Sequence, residues 1–260
     1  MINLLLALTR GGIFGFCVVT YFMLTIPLYP FYIISPNKMR KTLIKIIGIY
    51  SKFVLKFLGI YVNVLGEYNK EKNYLIISNH LSYIDVLIIA SHFPSAFVTS
   101  VEMRDTPFLG HIAKLGGCLF VERRSRSHLS QEIKELTHGL ESGINVAIFP
   151  EATSTEGREV LRFRRPLFQA AIDSNVEVLP LCLNYRYINF EPINVFNKDK
   201  VFWYGDMTFG KHFWELLKTP RIEADLSLLP VIETQKDWDN AVLAETGHER
   251  VSASFNPILC

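Results

Sequence analysis

The first 66 residues contain no aspartate and no glutamate, although the 260-residue chain carries 25 acidic side chains. Seven of its 27 lysines and arginines fall in that stretch, so the formal charge of +2 divides into +7 there and −5 over the remainder. Soluble helices ordinarily mix signs; an acid-free basic segment suits an anionic membrane surface. Charge of either sign is missing from Gly11 to Asn37. Cysteine is scarce: Cys17, Cys118, Cys182 and Cys260 lie far apart, which argues against a disulfide framework, a redox pair or a cysteine metal site. There is no Gly-x-Ser-x-Gly elbow, no nucleotide motif and no histidine pair at metal-ligand spacing. With 49% hydrophobic and 20% charged residues, disorder, a coiled coil and nucleic-acid binding by bulk charge are excluded as well.

What the amino-terminal piece does have is apolar length. Ile13–Ile34 would reach about 33 Å as a helix, against roughly 30 Å of hydrocarbon core. Pro27 and Pro30 each remove a backbone donor that lipid cannot replace, so a full span competes with a re-entrant or interfacial element and with a buried soluble helix. A cleaved signal peptide fits poorly, since no small-residue cleavage site follows the apolar run. If the segment spans, Lys38, Arg40, Lys41 and Lys45 place everything downstream on the cytoplasmic side. Lys38–Leu65 then combines a broad apolar face (Leu43, Ile44, Ile46, Ile47, Ile49, Phe53, Val54, Phe57, Leu58) with a rim of Lys41, Lys45, Lys52 and Lys56. Lysine stems of that kind reach lipid headgroups from an apolar face. Residues 1–66 are therefore expected to be membrane-anchoring helices.

After Gly66 short β-branched runs alternate with amphipathic stretches. Strands are expected at Tyr74–Ser78, Ala96–Ser100, Cys118–Glu122, Asn145–Phe149, Val176–Leu183 and Val201–Met207. Helices are expected at Ile84–His92, Pro107–Lys114, Leu129–Ser142, Pro166–Asp173, Phe213–Lys218 and Asp237–Thr246. The alternation predicts an α/β domain over 67–251, with a mostly parallel central sheet flanked by helices, and a loose tail over 252–260.

In such sheets, sites form beyond the carboxyl ends of strands, and polar clusters stand at three of those places. Asn79-His80-Leu81-Ser82-Tyr83-Ile84-Asp85 follows the first strand. Ser82 suits a helix cap, and Asp85 three residues later can reach back over it, toward His80 on the preceding loop. A carboxylate holding one imidazole nitrogen leaves the other free as a base. Gly117 to Arg123 ends a strand in charge, where a guanidinium can grip a phosphate in two places. Pro150-Glu151-Ala152-Thr153-Ser154 follows a buried strand with a carboxylate and hydroxyls. In Val178-Leu179-Pro180-Leu181 a proline falls inside a strand, which ordinarily confines it to an edge or a bulge.

Taken together these clusters resemble the glycerolipid acyltransferase family, the one containing lysophosphatidic acid acyltransferases. The resemblance rests on four blocks in order: Asn79, His80 and Asp85; Gly117, Phe120 and Arg123; Phe149, Pro150, Glu151 and Thr153; and Val178–Leu181 around Pro180. It covers Tyr74–Tyr185 well and the flanks loosely. The family's usual glycine and following arginine in the third block are Ala152 and Ser154 here, and the stretch Thr153-Ser154-Thr155-Glu156-Gly157 to Phe163 looks more like relatives acylating lysophospholipids with other headgroups, or lyso-ornithine lipid.

The resemblance implies acyl transfer from acyl-CoA or an acyl carrier protein to the free hydroxyl of a lysophospholipid, with lysophosphatidic acid as first choice. His80 and Asp85 are the implied catalytic residues. Asn79, Gly117, Phe120, Arg123, Pro150, Glu151, Ala152, Thr153, Ser154 and Pro180 are the implied binding residues. Arg123 takes the acceptor's anionic headgroup; with the usual third-block arginine missing, Arg124 or the later Arg158, Arg162, Arg164 and Arg165 are the alternatives for phosphate handling. No metal and no bound cofactor beyond the acyl donor is expected. The implied location is a membrane: the cytoplasmic face of the inner membrane in a bacterium, an endoplasmic-reticulum-type membrane in a eukaryote. A hydrolase of thioesterase or lipase type, and a non-catalytic lipid-binding protein, are the alternatives.

Overall fold

The computed structural model describes residues 2–28, 30–106, 109–122, 129–235 and 237–258. Helix α1 (Ile2–Thr25) leads through the short α2 (Phe31–Ile34) into α3 (Pro36–Leu58). Gly59 stops α3 in the left-handed conformation (φ 72°), where its N–H still bonds back to Leu55 and Lys56. The chain then alternates: β1 (Ile60–Leu65), β2 (Leu75–Ser78), α4 (Ile84–His92), β3 (Ser95–Ser100), α5 (Val101–Arg104), α6 (Leu109–Leu115), β4 (Leu119–Val121) and α7 (Leu129–Glu141). β5 (Asn145–Ile148), α8 (Gln169–Ser174), β6 (Val178–Ile188), β7 (Glu191–Pro192), α9 (Phe209–Lys218), β8 (Ile222–Leu228) and α10 (Asn240–Ser254) complete it.

The strands form one sheet in the order β1-β8-β6-β2-β5-β3-β4, with β7 hairpinned onto β6. β6, β2, β5, β3 and β4 run parallel, while β8 is antiparallel to β6 and parallel to β1. Parallel strands need right-handed crossovers. The step from β2 to β3 moves one way along the sheet, whereas β4 to β5 and β5 to β6 move the other way. Helix α4 therefore lies on one face and α7 and α8 on the opposite one. α1, α3 and α9 join α4, and α10 joins α8. Leu75, Ile76, Ile77, Val146, Val178 and Leu179 are buried between the two layers, the continuous apolar strand composition that two-sided cover demands.

Four expectations need correction. Val201–Met207 is not a strand: Val201 and Phe202 N–H groups both bond the Lys198 carbonyl in a turn, and the Phe202 ring packs on Gly157 and Tyr185. Two strands stand where none was read. Ile60–Leu65 falls in the stretch grouped with the anchor, and Ile222–Leu228 alternates buried Ile222, Ala224 and Leu226 with half-buried Glu223, Asp225 and Ser227. Residues 252–258 are not loose, because α10 runs to Ser254, Phe255 and Ile258 are buried, and the Ile258 N–H donates to the Gly157 carbonyl. Pro180 is in an interior strand, not at an edge or bulge. Its carbonyl accepts from the Leu229 N–H just beyond β8, so the side that lacks a donor faces the place where β8 has ended.

Helix α1 shows two faces. Leu5, Leu8, Phe16, Val19 and Met23 are exposed, while Ala7, Arg10 and Tyr21 are buried and Phe14 packs on Phe213 of α9. The Arg10 guanidinium donates to the carbonyls of Leu217, Thr219 and Pro220 and so caps α9, the favourable place for a cation on a helix. α3 divides in the same way. Leu43, Ile44, Val54 and Leu58 pack into the domain, and only Ile49, Phe53 and Phe57 remain exposed beside Lys45, Lys52 and Lys56. By length and composition Asn3–Leu28 could cross a membrane.

Candidate active site

β2 delivers Ser78 to its carboxyl end, and the chain turns through Asn79 and His80 into α4. Asn79 is buried and bridges to β6, its amide donating to the Leu183 carbonyl and its oxygen accepting from the Leu183 N–H. That pair of bonds continues the sheet by one side chain and fixes where His80 emerges. Helix α4 begins at Ile84, and Asp85 in its first turn reaches back as the capping-box pattern predicts. Asp85 Oδ2 accepts from the Ser82 N–H (2.9 Å), the Leu81 N–H (2.7 Å) and the His80 ring at Nδ1 (2.9 Å). Asp85 Oδ1 accepts from the Tyr185 hydroxyl at 2.7 Å. Burial and the Asp85 charge push the Tyr185 phenol well up, so it stays a donor. Asp85 is 0% exposed, and four donors satisfy a charge that would otherwise be costly to bury.

With Nδ1 committed to a carboxylate, the imidazole carries its proton there and presents Nε2 as the acceptor. The His80 side chain is 18% exposed and stacks on Phe149, with ring centroids 4.0 Å apart. No described residue hydrogen-bonds Nε2. The ring is thus packed against an apolar wall with its basic nitrogen open.

Glu151, after β5, holds the same loop from the other side. One carboxylate oxygen accepts the His80 backbone N–H (2.8 Å) and the other the Leu161 N–H (2.8 Å). Burial raises its pKa to about 7, against the pull of those two donors. The Thr155 N–H returns a bond to the His80 carbonyl at 3.0 Å. Ala152 sits at φ 60°, in the left-handed region that favours glycine. Pro150 is buried, Thr153 exposed and Ser154 half-buried. Among the described residues, no group of three or more His, Cys, Asp or Glu side chains is arranged to hold a metal ion.

His80, Asp85, Asn79, Glu151 and the Phe149–Ser154 loop therefore meet at the ends of β2 and β5. Phe120 is half-buried in β4, beyond β5 and β3 from His80. Gly117 is buried at φ 80°, where a Cβ would press on Arg40 and Ile44 of α3, so its place is a packing one. Pro180 is buried within the sheet, opposite Ile77. Arg123 and Arg124 lie outside the described residues. Ser82 is 0% exposed and its Oγ accepts only from the Ile84 N–H, at 3.4 Å; a nucleophile needs access that it lacks. Two groups escaped the sequence reading. Tyr185 ends the buried half of β6, at the carboxyl side where sites form, but only the fold shows that it meets Asp85. The Leu161 amide has no sequence signal at all.

A buried carboxylate, an imidazole and an open Nε2 thus stand together at the carboxyl end of a parallel sheet. The chain belongs to the acyltransferase family, whose model matches residues 61–184. It is 34% identical to the 1-acyl-sn-glycerol-3-phosphate acyltransferase of Neisseria gonorrhoeae, over 69% of this chain and 68% of that one. It is 28% identical to the lyso-ornithine lipid O-acyltransferase of Rhizobium meliloti, a match covering 65% of this chain and 60% of the relative's length. The crystal structure of the lysophosphatidic acid acyltransferase PlsC from Thermotoga maritima shares the fold, with TM-score 0.68 and 22% identity over 97% of this chain and 94% of that one.

Proposed function

We propose that this acyltransferase moves a fatty acyl group from a thioester, acyl-CoA or acyl carrier protein, to the free hydroxyl of a lysophospholipid. Lysophosphatidic acid is the first choice and another lysophospholipid or lyso-ornithine lipid the next. The observation that carries the proposal is the 2.9 Å bond from His80 Nδ1 to a fully buried Asp85, with Nε2 left open. An alcohol is a poor nucleophile at neutral pH. His80 Nε2 takes the hydroxyl proton as its oxygen attacks the thioester carbonyl. The tetrahedral intermediate then collapses, the C–S bond breaks, and the imidazolium returns its proton to the departing thiolate. Asp85 holds the tautomer and stabilises the imidazolium, while Glu151 and Thr155 hold the His80 backbone. Thr153 and Ser154 face the acceptor's polar end, with Arg123 for an anionic headgroup. The chemistry draws on no cofactor beyond the thioester.

The protein works at a membrane, with α1 lying in the interface. Its inward face is committed along its length to α9 and α3, including the buried Arg10 contacts, so crossing the bilayer would carry those elements with it. Its outward stripe of Leu5, Leu8, Phe16, Val19 and Met23 suits the acyl boundary, and the α3 lysines suit anionic headgroups.

The test is product identity. Purified protein receives labelled acyl thioester with lysophosphatidic acid, with a zwitterionic lysolipid, or with neither. Acylated lipid is the expected product, free fatty acid in every tube would mean a hydrolase, and no turnover would mean a lipid-binding protein.

A further inference from the structure

Tyr83 stands in the catalytic loop, between Ser82 and the first residue of α4, and its ring leaves the loop for α9. Trp203 and Phe209 flank that ring edge-on, with centroids 5.8 Å and 5.1 Å away, and the His212 imidazole meets it at 5.5 Å. The Tyr83 hydroxyl lies 2.9 Å from His212 Nδ1. His212 is buried, and its Nε2 completes no hydrogen bond among the described residues. The Phe202 and Asp199 carbonyls act on the imidazole from the neighbouring turn. They suit an N–H at Nε2, which makes Nδ1 the acceptor and the Tyr83 hydroxyl the donor. Burial pushes the Tyr83 phenol up and the His212 imidazole down, so the bond joins two neutral groups.

A leucine at 212 would fill such a place without leaving a nitrogen unpaired. What the imidazole adds is the bond to Tyr83, and both ends of that bond are fixed. His212 lies within α9, whose last carbonyls Arg10 caps. Phe209 and Phe213 of the same helix stack on each other, and Phe213 packs on Phe14 of α1. On the other side, the Leu81 carbonyl accepts the Trp203 N–H at 2.9 Å, and the Leu81 and Ser82 amides donate to Asp85 Oδ2. Tyr83 therefore follows directly on the two amides that set the Asp85 carboxylate, and that carboxylate sets the His80 tautomer.

We propose that Tyr83 and His212 are positioning residues for the transfer step: their hydrogen bond ties the turn carrying His80 and Asp85 to α9 and holds Nε2 in its working place. The proposal rests on His80 as the base. Other ties of the loop run through Asn79 to β6, through the His80 amide to Glu151, and through Leu81 to Trp203. The Tyr83 bond adds a fixed point in the helical layer. Misplacing a reacting group by about 1 Å can cost about 10²-fold in rate, so loss of one tie among several should cost less than that.

Steady-state kinetics beside thermal melting test this on the full-length protein, with His80→Ala as the reference. Tyr83→Phe and His212→Leu should each lower kcat about 10-fold, with KM for donor and acceptor within about twofold. The Y83F/H212L double variant should lose no more than either single one, because the second change removes nothing that remains. His212→Asn, whose side-chain oxygen can replace Nδ1 as acceptor, should recover most of the loss. A lower melting temperature with kcat unchanged would make the pair a packing contact only. A rise in KM alone would make it a binding contact, and losses that multiply in the double variant would mean that the two side chains act separately. Each of these overturns the proposal. Should His212→Leu fail to fold, Tyr83→Phe and His212→Asn still decide it, since one removes a single oxygen and the other keeps the acceptor. If His80→Ala keeps the parent's rate, the base reading falls and the proposal with it. If His80→Ala is inactive while Tyr83→Phe keeps the parent's kcat, the positioning role alone falls.

Discussion

The loops after β2 and after β5 meet over the same histidine but are built on opposite plans. The first, Asn79 to Asp85, is buried and saturated: the Asp85 carboxylate accepts four bonds, and Asn79 makes two across to β6. The second, Phe149 to Gly157, anchors its buried Glu151 and then turns outward through a left-handed Ala152 to Thr153 and Ser154. A group that moves a proton must sit within tenths of an ångström of its place, and the first loop spends buried hydrogen bonds on that. A surface that selects among headgroups needs exposed, replaceable side chains, of the kind the second loop carries. On the proposed reading, chemistry and selectivity are housed on separate strand ends, so they should respond differently to substitution.

The largest effect belongs to the first loop. His80→Ala should lower kcat by on the order of 10²–10⁴-fold while thermal unfolding stays close to the parent, since the ring is part-exposed and its removal leaves a polar site open to water. Steady-state rates beside a melting curve check this; a rate near the parent's would break the division between the loops. Asp85→Asn should cost roughly 10²-fold in kcat and about 1–3 kcal/mol of stability, because an amide cannot accept from all four donors and its NH₂ must face some of them. Denaturant unfolding reads the second number.

Glu151 belongs to both loops and sharpens the comparison through pH. Its carboxyl has pKa about 7 folded and an ordinary value near 4.5 unfolded, so the folded state binds more protons between those values. Stability should fall as pH rises from about 4.5 to 7, by on the order of 3 kcal/mol, and be flat above. Glu151→Gln should abolish that slope while losing one of the two amide bonds, measured by unfolding at several pH values. The smallest effect is expected at the turn outward: Ala152→Gly, which suits φ 60°, should stabilise by about 0.5–1 kcal/mol with kcat little changed. A large loss of activity there would show that the second loop also positions the base.

What the sequence made legible follows the same split. The capping relation of Ser82 and Asp85 is local, and it put His80 beside its carboxylate before any fold was available. The parallel core was equally readable, since two-sided burial leaves continuous apolar runs such as Leu75–Ser78. The missing pieces are long-range. Tyr185 reaches Asp85 across one hundred residues, and Leu161 reaches Glu151 through a backbone amide that every residue but proline possesses. Ile60–Leu65 was hidden because it follows an apolar helix directly, with only Gly59 to mark the change. Val201–Met207 has strand composition, yet Phe202 packs onto Gly157 and Tyr185 while Trp203 meets the Tyr83 ring edge-on.

The central claim is direct transfer by a histidine base, with no acyl group ever held on the protein. The most direct measurement is intact mass after mixing enzyme with excess acyl thioester and quenching in acid, with and without lysolipid. Without lysolipid the account predicts an unmodified protein mass and no free fatty acid; with it, acylated lipid should form while the protein mass stays unchanged. An acyl adduct on the protein that lysolipid discharges, or fatty acid released without any acceptor, would contradict it.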